Sequence, residues 1–475
     1  MKSLLRKWWF WLLLLLSGIA GWFLYDNWVG AREWAAYADD AHRRGVKLFL
    51  AEVPPPPPVP DEQNFAATPL WKAAGESRES LWKIARPLPA VRKPGGLQGP
   101  FRPDLAAWRA ALLSAGWLAP KDNTGSDAEA VLRGLERYEA PLAELRAGAA
   151  RPEVRFSTDW RGGVFDASER QLQVVSSVLE PIFLRFECHL SLRQFPEALQ
   201  DCQDLRSLIR ALEASPSLMG HFQTMNTRRT LYLMLAEALE ADVWSDDTVR
   251  DIEASLARWD SEARFWSALA WERILVNETL ERMAQARDAY EILPDGFCER
   301  AYTGLQSTRL RWWREGQIAA NRGFDQLAGF HGDRGLVQLV AQLHHGTLRT
   351  SWIATPLETF TPRRCAYAFK WLVPDLARTR MARVACALTR YRHARGGLPA
   401  TLAELVPDFL PQVPLDPCTA QPLIYRRTAP GSYLLYSVGL DQTDDGGDSN
   451  VNPTTTNGSP DWVWIARQPY SPAKP

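Results

Sequence analysis

Between Tyr436 and Asn450 the sequence reads YSVGLDQTDDGGDSN, which gathers Asp441, Asp444, Asp445 and Asp448 with three glycines in fifteen residues. Carboxylates at this density suit a hard cation: calcium takes about six to eight oxygen ligands, and glycines let the backbone turn its carbonyls inward. Without a counter-ion the same charges repel one another. Asp461 adds a further carboxylate where the chain enters its next extended segment. Asp441, Thr443, Asp445 and Gly446 fall at the first, third, fifth and sixth positions of a helix-loop-helix calcium loop. The twelfth position, however, is Asn452 rather than Glu, and no helical pattern flanks the stretch, so that motif is excluded. Two readings remain for the loop, a cation site or a solvated acidic turn.

The rest of the chain offers little recognisable chemistry. HExxH, GxSxG, the phosphate-binding GxxxxGKS and a GxGxxG following a strand are all absent, so no catalytic or cofactor-binding residue is assigned. His344 and His345 are adjacent, and on a helix that sends them to different faces rather than to one metal. The tracts SPSLMGHFQTMNTRR (215–229) and WWREGQ (312–317) carry groove-type residues, but packing accounts for their apolar members and solvation for their charges. The cysteines show no CxxC spacing. Cys188 and Cys202 lie nearly symmetrically about residue 195, in FLRFECHLSLRQFPEALQDCQDL, so an antiparallel hairpin there either brings them into disulfide range or buries both as ordinary small residues.

The elements that position the acidic loop are legible just upstream of it. A long helix stops at Gly396-Gly397, a short helix spans about Thr401 to Leu405, and PLIYRR and SYLLYSVG form a β-hairpin around the turn APG. The order of these pieces resembles the globular region of the type II secretion major pseudopilin. The residues that carry the resemblance are Tyr391, Gly397-Leu398-Pro399, Leu402, Leu405, Pro414-Leu415-Asp416-Pro417, Tyr425 and Tyr436-Ser437-Val438-Gly439. It implies a link to secretion and a calcium ion held after the second strand by carboxylates and main-chain oxygens. Asp441, Asp444, Asp445 and Asp448 fall in that loop, with Asp461 beyond it. The family's processing glycine and early glutamate are missing, so the resemblance is confined to roughly residues 380–465. The whole layout is also similar to an uncharacterised group of bacterial membrane-anchored helical proteins that carry a segment such as PVPDEQNFA.

At the other end, MKSLLRKWWFWLLLLLSGIAGWFLYDNW sets Lys2, Arg6 and Lys7 before an uncharged run from Trp8 to Tyr25. As a helix, that run spans about 27 Å. Trp8, Trp9, Trp22, Tyr25 and Trp28 flank it as interface anchors, and the basic cluster predicts a cytoplasmic N-terminus with the bulk of the chain outside. A signal peptide cleaved after Ala20 is the rival reading, opposed by the apolar run that continues past that residue. Pro54–Pro58 read as an extended polyproline stalk. From about Phe101 to His393 apolar residues recur at spacings of three and four, which predicts a large α-helical array; the tract around residue 195 resembles one tetratricopeptide-like hairpin.

The chain is therefore expected to be mainly α, in four parts: an anchor (1–30), a helix with a proline-rich stalk (31–60), an α-helical domain (61–379) and a small α+β module (380–475). Lys plus Arg and Asp plus Glu both number 55, so no global field favours nucleic acid. The expected function is a non-enzymatic scaffold of the bacterial inner membrane, facing the cell envelope, with a protein partner and a calcium-stabilised C-terminal module. The alternative is a membrane-tethered hydrolase of envelope polymers that uses carboxylates in a helical groove.

Overall fold

The computed structural model describes residues 2–91, 102–160, 172–260, 262–285, 310–345, 362–429, 431–447 and 461–464. It is mainly helical, as the periodicity predicts, with a small sheet near the C-terminus. The first helix, α1 (Lys2–Arg43), is long and apolar enough to cross a membrane, and its apolar window is not buried against any of the other described residues. It does not end with that window. Burial begins at Asp26 and Gly30, and α1 continues into the body along α12 (Leu310–Ala328). Gly30 is required at this crossing, because a Cβ there would lie 2.5 Å from the Arg311 Cα. Arg311 Nη1 donates to Asp26 Oδ1 at 3.2 Å, and further along Tyr37 Oη donates to Asp325 Oδ2 at 2.8 Å.

After α1 the chain turns at Gly45 and docks through Leu50, whose amide donates to Glu278 at 2.8 Å. Pro54–Pro58 then run exposed and extended across the surface to Asn64, which bridges to Glu153. The prolines thus do not separate the apolar helix from the body, because α1 packs on α12 before the chain reaches them. A set of short helices follows: α2 (Pro69–Glu76), α3 (Arg78–Ile84), α4 (Leu105–Ser114), α5 (Asp127–Leu135) and α6 (Glu139–Ala149). A capping box on Ser126 and Glu129 starts α5.

The hairpin expected around residue 195 is α7 (Gln173–Ser191) against α8 (Phe195–Leu212), joined through Arg193 at φ 59°. Cys188 and Cys202 are both free and buried, and burial pushes both thiols up. A carboxylate ties the two helices instead. Asp201 accepts from Arg185 Nε at 3.1 Å and lies 2.7 Å from His189 Nδ1. Next come α9 (Leu218–Glu240), α10 (Asp246–Trp259, capped by Ser245), α11 (Ala263–Gln285) and α13 (Gly332–His344).

The last helix, α14 (Pro362–Arg395), is the common wall of the molecule. Ala382, Ala385 and Cys386 complete the core that runs from Phe65 to Trp259. Phe369 and Leu372 pack with Phe265 and Phe324 in a second core, and Met381, Val384 and Leu388 close over Leu405, Leu423 and Leu435 in a third. Arg380 and Arg383 fix its rotation by gripping opposite oxygens of Asp260, at 2.8 and 2.6 Å. Beyond it, the 3-10 turn Leu402–Leu405 carries a capping box from Thr401 and Glu404. The hairpin follows as β1 (Ile424–Ala429) and β2 (Ser432–Ser437), antiparallel with Tyr425 opposite Leu435. The extended segment after the acidic loop adds β3 (Trp462–Val463) to the free edge of β2.

Candidate functional site

The acidic loop leaves the end of β2, and the hairpin register decides what faces it. Tyr436 pairs with Ile424, so Arg426, two residues further along β1, lies on the same face as Tyr436. The Tyr436 hydroxyl donates to Asp444 Oδ1 at 2.8 Å, and Arg426 Nη2 donates to the Gly446 carbonyl at 2.7 Å. The Gly446 amide also donates to Asp444 Oδ1, at 2.9 Å. Together the tyrosine hydroxyl and that amide hold the Asp444 carboxyl below the usual carboxylate range. Burial and the nearby Asp444 charge push the Tyr436 phenol up to about 12.

Gly446 and Gly447 both have positive φ, 76° and 80°, and the turn they make returns the chain towards β3. The Gly447 amide donates to Asp461 Oδ2 at 2.7 Å. Asp461 is only 2% exposed, and its second oxygen, Oδ1, has no hydrogen-bond partner among the described residues. Burial pushes the Asp461 carboxyl up, the Gly447 amide opposes the shift, and the charges of Asp444 and Asp445 add to it. The charges of Asp444 and Asp445 thus bear on Asp461 across the loop. Asp441 does other work: its Oδ1 accepts from the Thr443 amide at 3.1 Å in a local turn. Asp448 lies outside the described residues. Among those residues, no three His, Cys, Asp or Glu side chains gather closely enough to hold a metal ion.

Residues that the loop's own pattern does not reveal hold it against the body. Asp416, 1% exposed, accepts from Ser437 Oγ at 2.9 Å and from the Val438 amide at 3.0 Å, which fixes the end of β2. Gln442 stands at φ 60° and donates to the Cys418 carbonyl at 2.6 Å. Tyr425 reaches back to the Pro399 carbonyl at 2.9 Å. Tyr425, Leu398 and Tyr391 of α14 pack against the third core. Arg426 and Gln442 were missed by the sequence reading. The alternation of the hairpin carries the signal for Arg426, which shares a face with Tyr436; no pattern in the sequence marks Gln442.

The geometry is that of a structured acidic turn with one buried, half-satisfied carboxylate. No family model, curated protein or solved structure matches the chain, so its reading rests on its own residues.

Proposed function

We propose that this chain is a single-pass protein of the bacterial inner membrane that acts as a non-enzymatic scaffold, its N-terminus cytoplasmic and its body in the cell envelope, where it offers the helical array to a protein partner. The observation that carries the reading is α1. Its apolar stretch is not buried by any of the described residues, while the same helix, beyond Asp26, is built into the fold. Trp8, Trp11, Trp22 and Trp28 are each at least half exposed, which suits rings at or within a bilayer and is costly in water. What favours an anchor over a leader cleaved after Ala20 is that the apolar run continues past that residue to Tyr25 and passes without a break into the helical part built into the body. The test is fractionation of cells that express the full chain. Retention in the membrane after alkaline carbonate washing, with protease added to spheroplasts degrading the body, supports the reading. Recovery of a soluble product lacking residues 1–20 overturns it.

The C-terminal module is proposed to take calcium at the acidic loop. Asp461 Oδ1 is a buried acceptor without a hydrogen-bond partner among the described residues, and Asp444 and Asp445 supply the companion charge. The link to secretion rests on the pseudopilin resemblance of this module.

A further inference from the structure

Where the chain leaves α1 it folds back over α11, and a pocket lies between them. On α11 the residues Trp266, Leu269, Ala270, Arg273 and Ile274 recur at spacings of three and four, so they share one face. That face, the end of α12 at Phe324 and Ala328, and the turn at 45–47 line a pocket of about 500 Å³. The volume falls in the range of small-molecule sites. The wall after α1 is pinned: the Leu48 amide donates to Glu52 Oε2 and the Leu50 amide to Glu278 Oε1 of α11, both at 2.8 Å. The pocket is therefore built into the fold.

Its lining is mostly apolar and aromatic. Trp266 packs on His331 with ring centroids 4.1 Å apart, Trp271 meets Trp160 edge-on at 5.5 Å, and Arg273 lies over Phe324. The same wall is rich in donors. Trp266 Nε1, Trp271 Nε1 and Arg273 Nε are buried without a hydrogen-bond partner among the described residues, and no carboxylate is among the described lining residues. Asp325, next to Phe324 in sequence, is already engaged: Arg273 pairs with it at 3.0 Å, and Tyr37 and Arg44 donate to its other oxygen. Lys47, exposed at the rim, has no hydrogen bond or ion pair with any described residue. Buried N–H groups without acceptors are unfavourable, so this wall is matched by an occupant that brings oxygen acceptors on an apolar body.

We propose that this pocket binds a small monocarboxylic acid with an apolar, ring-sized body. Trp266, Trp271 and Phe324 take the body, and Lys47 takes the carboxylate. One uncommitted ammonium matches one negative charge, which favours a monoanion over a phosphate dianion. An aromatic acid and a short acyl acid share this chemistry.

The experiment is calorimetric titration of the full chain held in amphipol, with amphipol alone as the blank. Its probes are 2-naphthoate, octanoate and their neutral amides. Tighter saturable binding of 2-naphthoate identifies aromatic acids as the natural class, and tighter binding of octanoate identifies acyl chains. In either case the acid binds about fivefold more tightly than its amide, and Lys47→Gln removes that preference. Because Lys47 is exposed and without a partner, this variant tests the charge without disturbing the fold. Ala270→Phe and Ala328→Phe, at exposed positions of the lining, fill the pocket and abolish binding of acid and amide alike, while the thermal midpoint of the ligand-free chain holds or rises. Absence of saturable binding by both acids, an acid no tighter than its amide, a preference that persists in Lys47→Gln, or binding that survives both filled variants overturns the proposal.

Discussion

Asp461 shows how one side chain can set the behaviour of a loop. A carboxyl whose folded pKa lies above its unfolded value favours folding while protonated, so its penalty is absent below the unfolded pKa and appears as pH rises through the folded one. At neutral pH without a cation, Asp461→Asn should therefore raise the thermal midpoint of the full chain or leave it unchanged. With calcium in excess, the wild type should gain stability over a magnesium control, and Asp461→Asn and the pair Asp444→Asn with Asp445→Asn should lose that gain. A wild-type midpoint indifferent to calcium makes the stretch a solvated turn. Tyr436→Phe removes the hydroxyl that Asp444 accepts from and should cost about 0.5–1.5 kcal/mol in denaturant unfolding. The aspartates themselves were legible in the sequence. Their division of labour was not, since Asp441 turns inward to its own backbone and Asp461 becomes buried only when β3 pairs with β2.

Among the elements, α14 carries the largest share of the architecture and was the least distinct in sequence. Its N-terminal half serves the second core and its C-terminal half two others, so its apolar residues surround the helix instead of forming one stripe. The α7–α8 hairpin was readable because apolar residues recur at spacings of three and four in both runs and a turn at Arg193 separates them; that α7 is buried on every side from Pro181 to His189, while α8 keeps an exposed face, was not. Its fastening was not, because two cysteines at symmetric positions look as suitable as the Asp201 that in fact joins Arg185 and His189. The far end of α14 has its own clasp: His393 sits 2.6 Å from Asp242 and 2.5 Å from Asp246, at the junction of α9 and α10. The Asp242 carboxylate, followed by that of Asp246, raises the His393 pKa. The stability it contributes is complete below the ordinary histidine value and is lost as pH rises through the shifted one. The thermal midpoint should fall over the pH range just above 6.5, and His393→Gln should flatten that fall. At the other end of the molecule, Gly30→Val forces a side chain onto the Arg311 backbone. It should destabilise the packing of α1 on α12 by about 1–3 kcal/mol, seen as faster proteolysis near residue 30 while the rest of the body resists.

At the scale of the whole molecule, an apolar helix, a helical body and a small α+β cap are joined without a loose segment between the first two. A tethered domain on a random linker samples every orientation to its membrane. Here α1 runs unbroken from Lys2 to Arg43, without a proline, and is keyed to α12 by Asp26, Gly30 and Tyr37. With α1 as the proposed anchor, the body would be indexed to the bilayer by helical phase. Each residue inserted between Leu24 and Asp26 turns everything beyond by about 100° and lifts it by about 1.5 Å, and seven residues restore nearly the original face about 10 Å further out. If the proposed scaffold role holds and a partner is met in the plane of the membrane, alanine insertions there should alternate between loss and recovery of function with a helical period, whereas a flexible mount would show no such rhythm.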